Sequence, residues 1–301
     1  MKLDTVVIGT DFSAPSVAAA EWTAQHFAPD AELVLVHVVT VPEPPRFLRG
    51  RFPPTDALVT TARAGADARL RELARALGTG RTRVEVRVGH AAEQLVEVAQ
   101  AYRADVVVVG RHGSRPGLWS RMGSTAESLV RAATTPVLLV TGVRDVRPRR
   151  ILVALDGSEV ADVAADTARA LGERFGASVV ALHVIGSAIM SHLIAAPGGS
   201  AERDPVDHGL AREELRREGG RWIESHFDGG RERVASEVAF GEAGEEILAA
   251  AEREAIDLIV MGSHGAAPVR RFLVGSVASE VVRGATCPVL VVVPPIDEIE
   301  E

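Results

Sequence analysis

A chain of 301 residues is long enough for two compact domains of about 150 residues each. Hydrophobic residues make up 47% and charged residues 25%, the balance of a soluble globular protein, and the longest apolar runs, 106–109 and 289–293, are far too short to cross a bilayer. With 33 basic against 41 acidic residues the formal charge is −8, which argues against broad attachment to nucleic acid or acidic lipid, so any anion site must be local.

The chain opens on Met1-Lys2-Leu3-Asp4-Thr5 and runs straight into a strand-like segment, so no secretory leader is read and a cytoplasmic location is expected. Short β-branched runs then alternate with longer helical stretches. In the first half the predicted strands are 5–9, 33–39, 83–88, 106–110 and 137–141; in the second they are 151–155, 178–185, 233–239, 258–262 and 289–293. Several are continuously apolar, as strands covered on both faces are. Between them, 15–27, 91–102 and 245–254 repeat apolar residues at three-and-four spacing, and Ser13 and Ser158 stand as N-caps for the first helix of each half. The proline-rich stretch 41–54, with Arg46, Arg49 and Arg51, reads as a connection. The single cysteine, Cys287, rules out an internal disulfide framework and is expected to be a small buried side chain.

The chain repeats itself. An offset of 152 lays Gly89, Gly110, Gly113, Gly123 and Pro136 over Gly241, Gly262, Gly265, Gly275 and Pro288; near the starts the offset is 145, pairing Thr10-Asp11-Phe12-Ser13 with Leu155-Asp156-Gly157-Ser158. Domains are therefore expected at 1–142 and 150–301, joined by a polar linker at 143–149. Strand and helix alternate throughout, which with right-handed crossovers gives two doubly wound, five-stranded parallel sheets, and such sheets bind ligands beyond the carboxyl ends of their strands at the switch point.

At that point the fourth strand runs into Gly110-Arg111-His112-Gly113, then nine residues, then Gly123-Ser124 opening a helix; the second half repeats it as Gly262-Ser263-His264-Gly265, nine residues, Gly275-Ser276. Glycines let backbone amides approach an anion, and a helix start favours negative charge. Arg111, Arg115 and Arg121 in one loop and Arg270 and Arg271 in the other either add local charge or are solvated. A structural alternative has Gly110 and Gly262 ending strands and Ser124 with Glu127 forming a capping box, while Asp11 and Asp156 serve as turn or cap residues. His112 and His264 read as phosphate-side or solvent-facing rings rather than metal ligands, and His37 and His183 as buried imidazoles or partners of a neighbouring turn. No Ser-His-Asp set and no G-x-x-x-x-G-K-S/T loop is present, so neither catalytic residues nor a metal site are expected.

The pattern G-x-x-G, nine residues, G-S resembles the ATP-binding signature of the universal stress protein family, and both halves are similar to that family over nearly their whole length. The resemblance implies a Rossmann-like, adenine-nucleotide α-hydrolase-like fold in tandem. It places Thr10, Asp11, Leu155 and Asp156 beside adenine and ribose, with the backbone of Val38 and Val184 reading the base. It also implies that Val109, Gly110, Gly113, Gly123, Ser124 and Thr125, and in the second half Met261, Gly262, Gly265, Gly275, Ser276 and Val277, hold the ligand. The ligand so implied is ATP, alone or with Mg2+, bound by a soluble sensor or regulator of the stress response. A slow ATPase, or an interaction module with vestigial sites, is the alternative, and the family leaves room for a homodimer and a regulatory protein partner. Phe12 against Gly157, and the more basic first loop, leave the equality of the two sites open.

Overall fold

The structure, a computed structural model, describes residues 1–40, 55–113, 123–142, 146–187, 205–227, 234–265 and 275–293. The proline-rich stretch 41–54, Arg115, Arg121, Arg270, Arg271 and part of the expected linker lie outside the described residues. Two compact units emerge, one built on Lys2–Arg147 and the other on Pro148–Pro294.

In the first unit the order is β1 (Thr5–Gly9), α1 (Ala14–Trp22), β2 (Glu32–Val39), α2 (Thr55–Leu77), β3 (Thr82–Val88), α3 (Ala91–Tyr102), β4 (Val106–Gly110), α4 (Ser124–Ala132) and β5 (Val137–Val140). The strands are all parallel and lie in the order β3-β2-β1-β4-β5. The second unit runs β6 (Arg150–Leu155), α5 (Glu159–Phe175), β7 (Ser178–Ile185), α6 (Pro205–Ser225), β8 (Val234–Phe240), α7 (Ala243–Arg253), β9 (Leu258–Gly262), α8 (Ser276–Gly284) and β10 (Val289–Val292). Its order, β8-β7-β6-β9-β10, is again parallel throughout. Each unit is thus a doubly wound, Rossmann-like α/β domain, and the reversal of strand order falls between β1 and β4 and between β6 and β9, where a crevice opens at the carboxyl ends.

The apolar runs explain the sheets. Val6, Val7, Ile8 and Val106 to Val108 are buried in one unit, as are Ile151, Leu152, Val153 and Leu258 to Val260 in the other. Central parallel strands carry helices on both faces, which is why alternation is absent from their sequence. Cys287 is buried, in keeping with its apolar surroundings. The segment 15–27, read as one helix, instead changes pitch: α1 ends at Trp22 and a π-helical turn occupies Thr23–Phe27. There the Ala28 N–H reaches the Thr23 carbonyl, five residues back, while the Thr23 hydroxyl donates to the Ala19 carbonyl.

The turn after β1 and β6 is built alike in both units. Oδ1 of Asp11 accepts from the Ser13 amide and hydroxyl, Oδ1 of Asp156 does the same for Ser158, and each serine caps the following helix. The residue between them is left-handed, Phe12 at φ 61° and Gly157 at φ 80°. Glycine adopts that conformation freely, whereas phenylalanine must be held there. The Phe12 amide donates to Thr10 Oγ1 at 3.0 Å, and Thr10 Oγ1 lies 2.9 Å from Ser16 Oγ, whose own proton goes to the Ser13 carbonyl. The ring is stacked 4.5 Å from His37, with the Arg69 guanidinium 4.1 Å over it. The second unit has Leu155 and Ala161 in place of this hydroxyl pair and, with Gly157, does not need it; its strand histidine, His183, meets Trp222 of α6 edge-on at 5.2 Å instead. Phe12→Gly should therefore leave the first domain about 1 kcal/mol more stable than Phe12→Ala, because both lose the ring contacts and only alanine keeps the left-handed penalty. Urea denaturation of the two variants measures the difference; equal stabilities would show that the backbone there is unstrained.

Candidate functional site

A cleft opens at the predicted point in each unit. In the first, of ≈ 400 Å³, all nine residues expected there line one space: Thr10, Asp11, Val38, Val109, Gly110, Gly113, Gly123, Ser124 and Thr125. In the second, of ≈ 360 Å³, the nine counterparts do so: Leu155, Asp156, Val184, Met261, Gly262, Gly265, Gly275, Ser276 and Val277. Both volumes lie in the range of small-molecule sites, about 300–1,000 Å³.

The loop after β4 is pinned at both ends. The Arg111 amide donates to the Val140 carbonyl at 3.0 Å, and its own carbonyl accepts from the Gly123 amide at 2.8 Å; Ser263 makes the same pair with Val292 and Gly275, each at 2.9 Å. This closure brings the start of the next helix under the loop. The N-caps are Gly123 and Gly275, neither helix has a side-chain cap, and Ser124 and Ser276 are the first helical residues. That corrects the capping-box reading: Ser124 sits one position too far in to cap, and Glu127 pairs with Arg131 at 2.6 Å. The first amides of α4 and α8 have no intrahelical acceptor and carry the positive end of the helix dipole, so a cleft-bound anion would meet them.

Opposite the helix start stands the turn carboxylate. A Cβ placed on Gly113 would fall 2.7 Å from Asp11 Oδ2, and one on Gly265 would crowd Asp156 Oδ2 more closely still, so each glycine leaves room for the turn carboxylate rather than supplying an unusual φ. Gly110 is different, since a Cβ there would meet the backbone of Pro15 and Ser16 at 3.3 Å where α1 crosses the strand end. Gly110 thus both ends the strand against α1 and lines the cleft, so the structural reading and the ligand reading of it are not exclusive.

His37 and His183 behave as expected of partners to a turn: each Nδ1–H donates to a carbonyl, of Thr10 and of Leu155, at 2.8 Å. His112 and His264 line the clefts but are held by different neighbours. His112 Nε2 accepts from Arg111 Nε at 3.2 Å, and burial, followed by the charge of Arg111, keeps its pKa below the ordinary 6.5. The imidazole is neutral near pH 7. His264 Nδ1 instead lies 2.8 Å from the hydroxyl of Ser263, which is 5% exposed. Among the described residues no group of three or more His, Cys, Asp and Glu is placed to hold a metal ion, and no helix is long and apolar enough to cross a membrane.

The sequence reading missed the wall that α3 and α7 contribute. Ala91 and Leu95 line the first cleft and Ala243 and Ile247 the second. The signal was present, since each pair is related by the same 152-residue offset as the glycines, but these residues look like ordinary core positions of amphipathic helices.

The model of the universal stress protein family matches residues 2–141 and again 148–293. The chain belongs to the universal stress protein family. A universal stress protein of Mycolicibacterium smegmatis is 31% identical over 304 residues, covering 96% of this chain and 97% of its own. One from Mycobacterium tuberculosis is 29% identical over 306 residues, with 96% and 97% covered. Among solved structures, a universal stress protein from Archaeoglobus fulgidus superposes with a TM-score of 0.67 at 20% identity, covering 99% of this chain and 98% of that one, which supports the tandem fold. Family and relatives together support a role for this universal stress protein in the stress response.

Proposed function

We propose that each domain binds one adenine nucleotide, ATP alone or with Mg2+, and that occupancy makes the protein a nucleotide-dependent sensor or regulator in the cytoplasm rather than an enzyme. The observation that carries this reading is the convergence, in both clefts, of a glycine loop, an uncapped helix start and a turn carboxylate from repeat-related positions. A triphosphate suits the loop and helix start, because backbone amides and the helix dipole favour spread negative charge. The carboxylate of Asp11 or Asp156 suits ribose hydroxyls, which are donors to it. Among the described residues no lysine lines either cleft, the cation that a fast phosphoryl-transfer loop uses, so retention of ATP fits these residues better than turnover.

Calorimetric titration of nucleotide-free protein with ATP, with and without Mg2+, tests the reading. Two bound equivalents per chain are expected, and none would overturn it. A single-turnover assay of the loaded protein should show ATP unchanged over many minutes; rapid release of ADP would make the protein an ATPase instead.

A further inference from the structure

We propose that the residue between Gly110 and His112, and its counterpart between Gly262 and His264, sets how strongly each cleft prefers a triphosphate to a monophosphate, the first cleft being the more demanding. This rests on the nucleotide reading above and goes beyond it by distinguishing the two sites.

The backbone of this residue is held identically in the two domains, by one bond to the last strand and one to the glycine that opens the helix. Only the side chain changes. In the first domain it is Arg111, half-buried, with its Nε fixed 3.2 Å from the ring of His112, which itself lines the cleft. The guanidinium is therefore anchored behind a ring that lines the cleft. In the second domain it is Ser263, neutral and buried, bonded to His264. By sequence the nine-residue segments that follow carry two arginines each, Arg115 and Arg121 against Arg270 and Arg271, so their formal basic charge is equal.

The surrounding walls differ in the same sense. Thr10, Ser16 and Thr125 line the first cleft where Leu155, Ala161 and Val277 line the second. A hydroxylated wall tolerates the water that accompanies a polyphosphate, while an aliphatic wall favours the apolar faces of base and sugar. A cation held next to the wall of a partly solvated site alters the preference between ligands of different phosphate charge by about tenfold.

The clefts can be compared in the full chain by blocking one at a time, with Gly265→Leu to observe the first and Gly113→Leu to observe the second, and titrating each with ATP and with AMP. The ratio of Kd for AMP to Kd for ATP should be about tenfold larger in the first cleft, and that excess should shrink as salt is raised. Arg111→Gln should bring the first ratio down to that of the second, and Arg111→Lys should retain most of it. In the unblocked chain, Arg111→Gln should change one of the two ATP binding events and leave the other alone, which tests the same point without relying on a blocked domain. Equal ratios in the two clefts, or a first-cleft ratio indifferent to Arg111→Gln, would overturn the inference while leaving nucleotide binding in place. Absence of ATP binding in the unblocked chain would overturn the nucleotide reading and this inference together.

Discussion

Gly113→Leu is expected to remove ATP binding from the first domain alone, weakening that site by roughly a hundredfold or more, about 2.7 kcal/mol, while the second site keeps its affinity. The loop around Gly113 is open to the cleft on one side and faces Asp11 Oδ2 on the other, 2.7 Å from where a Cβ would stand. A leucine there must push the carboxylate aside and put its branched end into the space proposed for phosphate. The domain has little reason to unfold, because the obstructing atom is the tip of a flexible side chain and no positive φ has to be preserved. Gly265→Leu should do the same to the second domain, where the approach to Asp156 Oδ2 is closer still. Calorimetry should show one ATP per chain for either variant, with thermal unfolding close to that of the parent. Two unaltered sites would mean that these glycines only shape a turn.

Much of this arrangement is legible from the amino acids, and the reason differs from place to place. The strands at 5–9, 106–110, 178–185 and 258–262 match their observed bounds because they are central, doubly covered and bounded by glycine or by a helix signal. Other strands begin one residue earlier than expected, as at Glu32, Thr82 and Arg150, because backbone pairing extends over a polar residue that the apolar run does not include. The glycines and carboxylates of the clefts are visible because duplication presents each twice at fixed spacing, which separates them from chance. What escapes is whatever depends on contacts between distant segments. Thr10 lines the first cleft, and its hydroxyl also engages the Phe12 amide and Ser16 Oγ, a part in holding the left-handed turn that no local pattern shows. Likewise Ser124 and Glu127 carry a capping-box pattern, but the loop closure from Gly123 to Arg111 moves the cap one residue back, a tertiary constraint that no local pattern encodes.

Gly110→Val should behave in the opposite way to Gly113→Leu, lowering the stability of the first domain by about 2 kcal/mol and disturbing its cleft only as a consequence. Glycine at 110 ends β4 beneath the first turn of α1, and a Cβ there would lie 3.2 Å from the His112 carbonyl and 3.3 Å from the Pro15 carbonyl carbon and Ser16 Cα. All three neighbours are backbone atoms, so no rotamer change can make room. The helix would have to move away from the sheet, loosening Ala19 and Ala20, which are buried against the sheet side of α1, and displacing the Ser16 hydroxyl that orders the Phe12 turn. For a domain of this size such a loss corresponds to a fall of roughly 4–8 °C in the Tm of the first transition. ATP should recover part of that fall by binding the folded form, whereas Gly113→Leu should show neither the fall nor the recovery. Scanning calorimetry of the two variants with and without ATP measures both effects. A Gly110→Val domain as stable as the parent would mean that α1 is free to retreat from the strand, and that the close packing at Gly110 does not govern the fold.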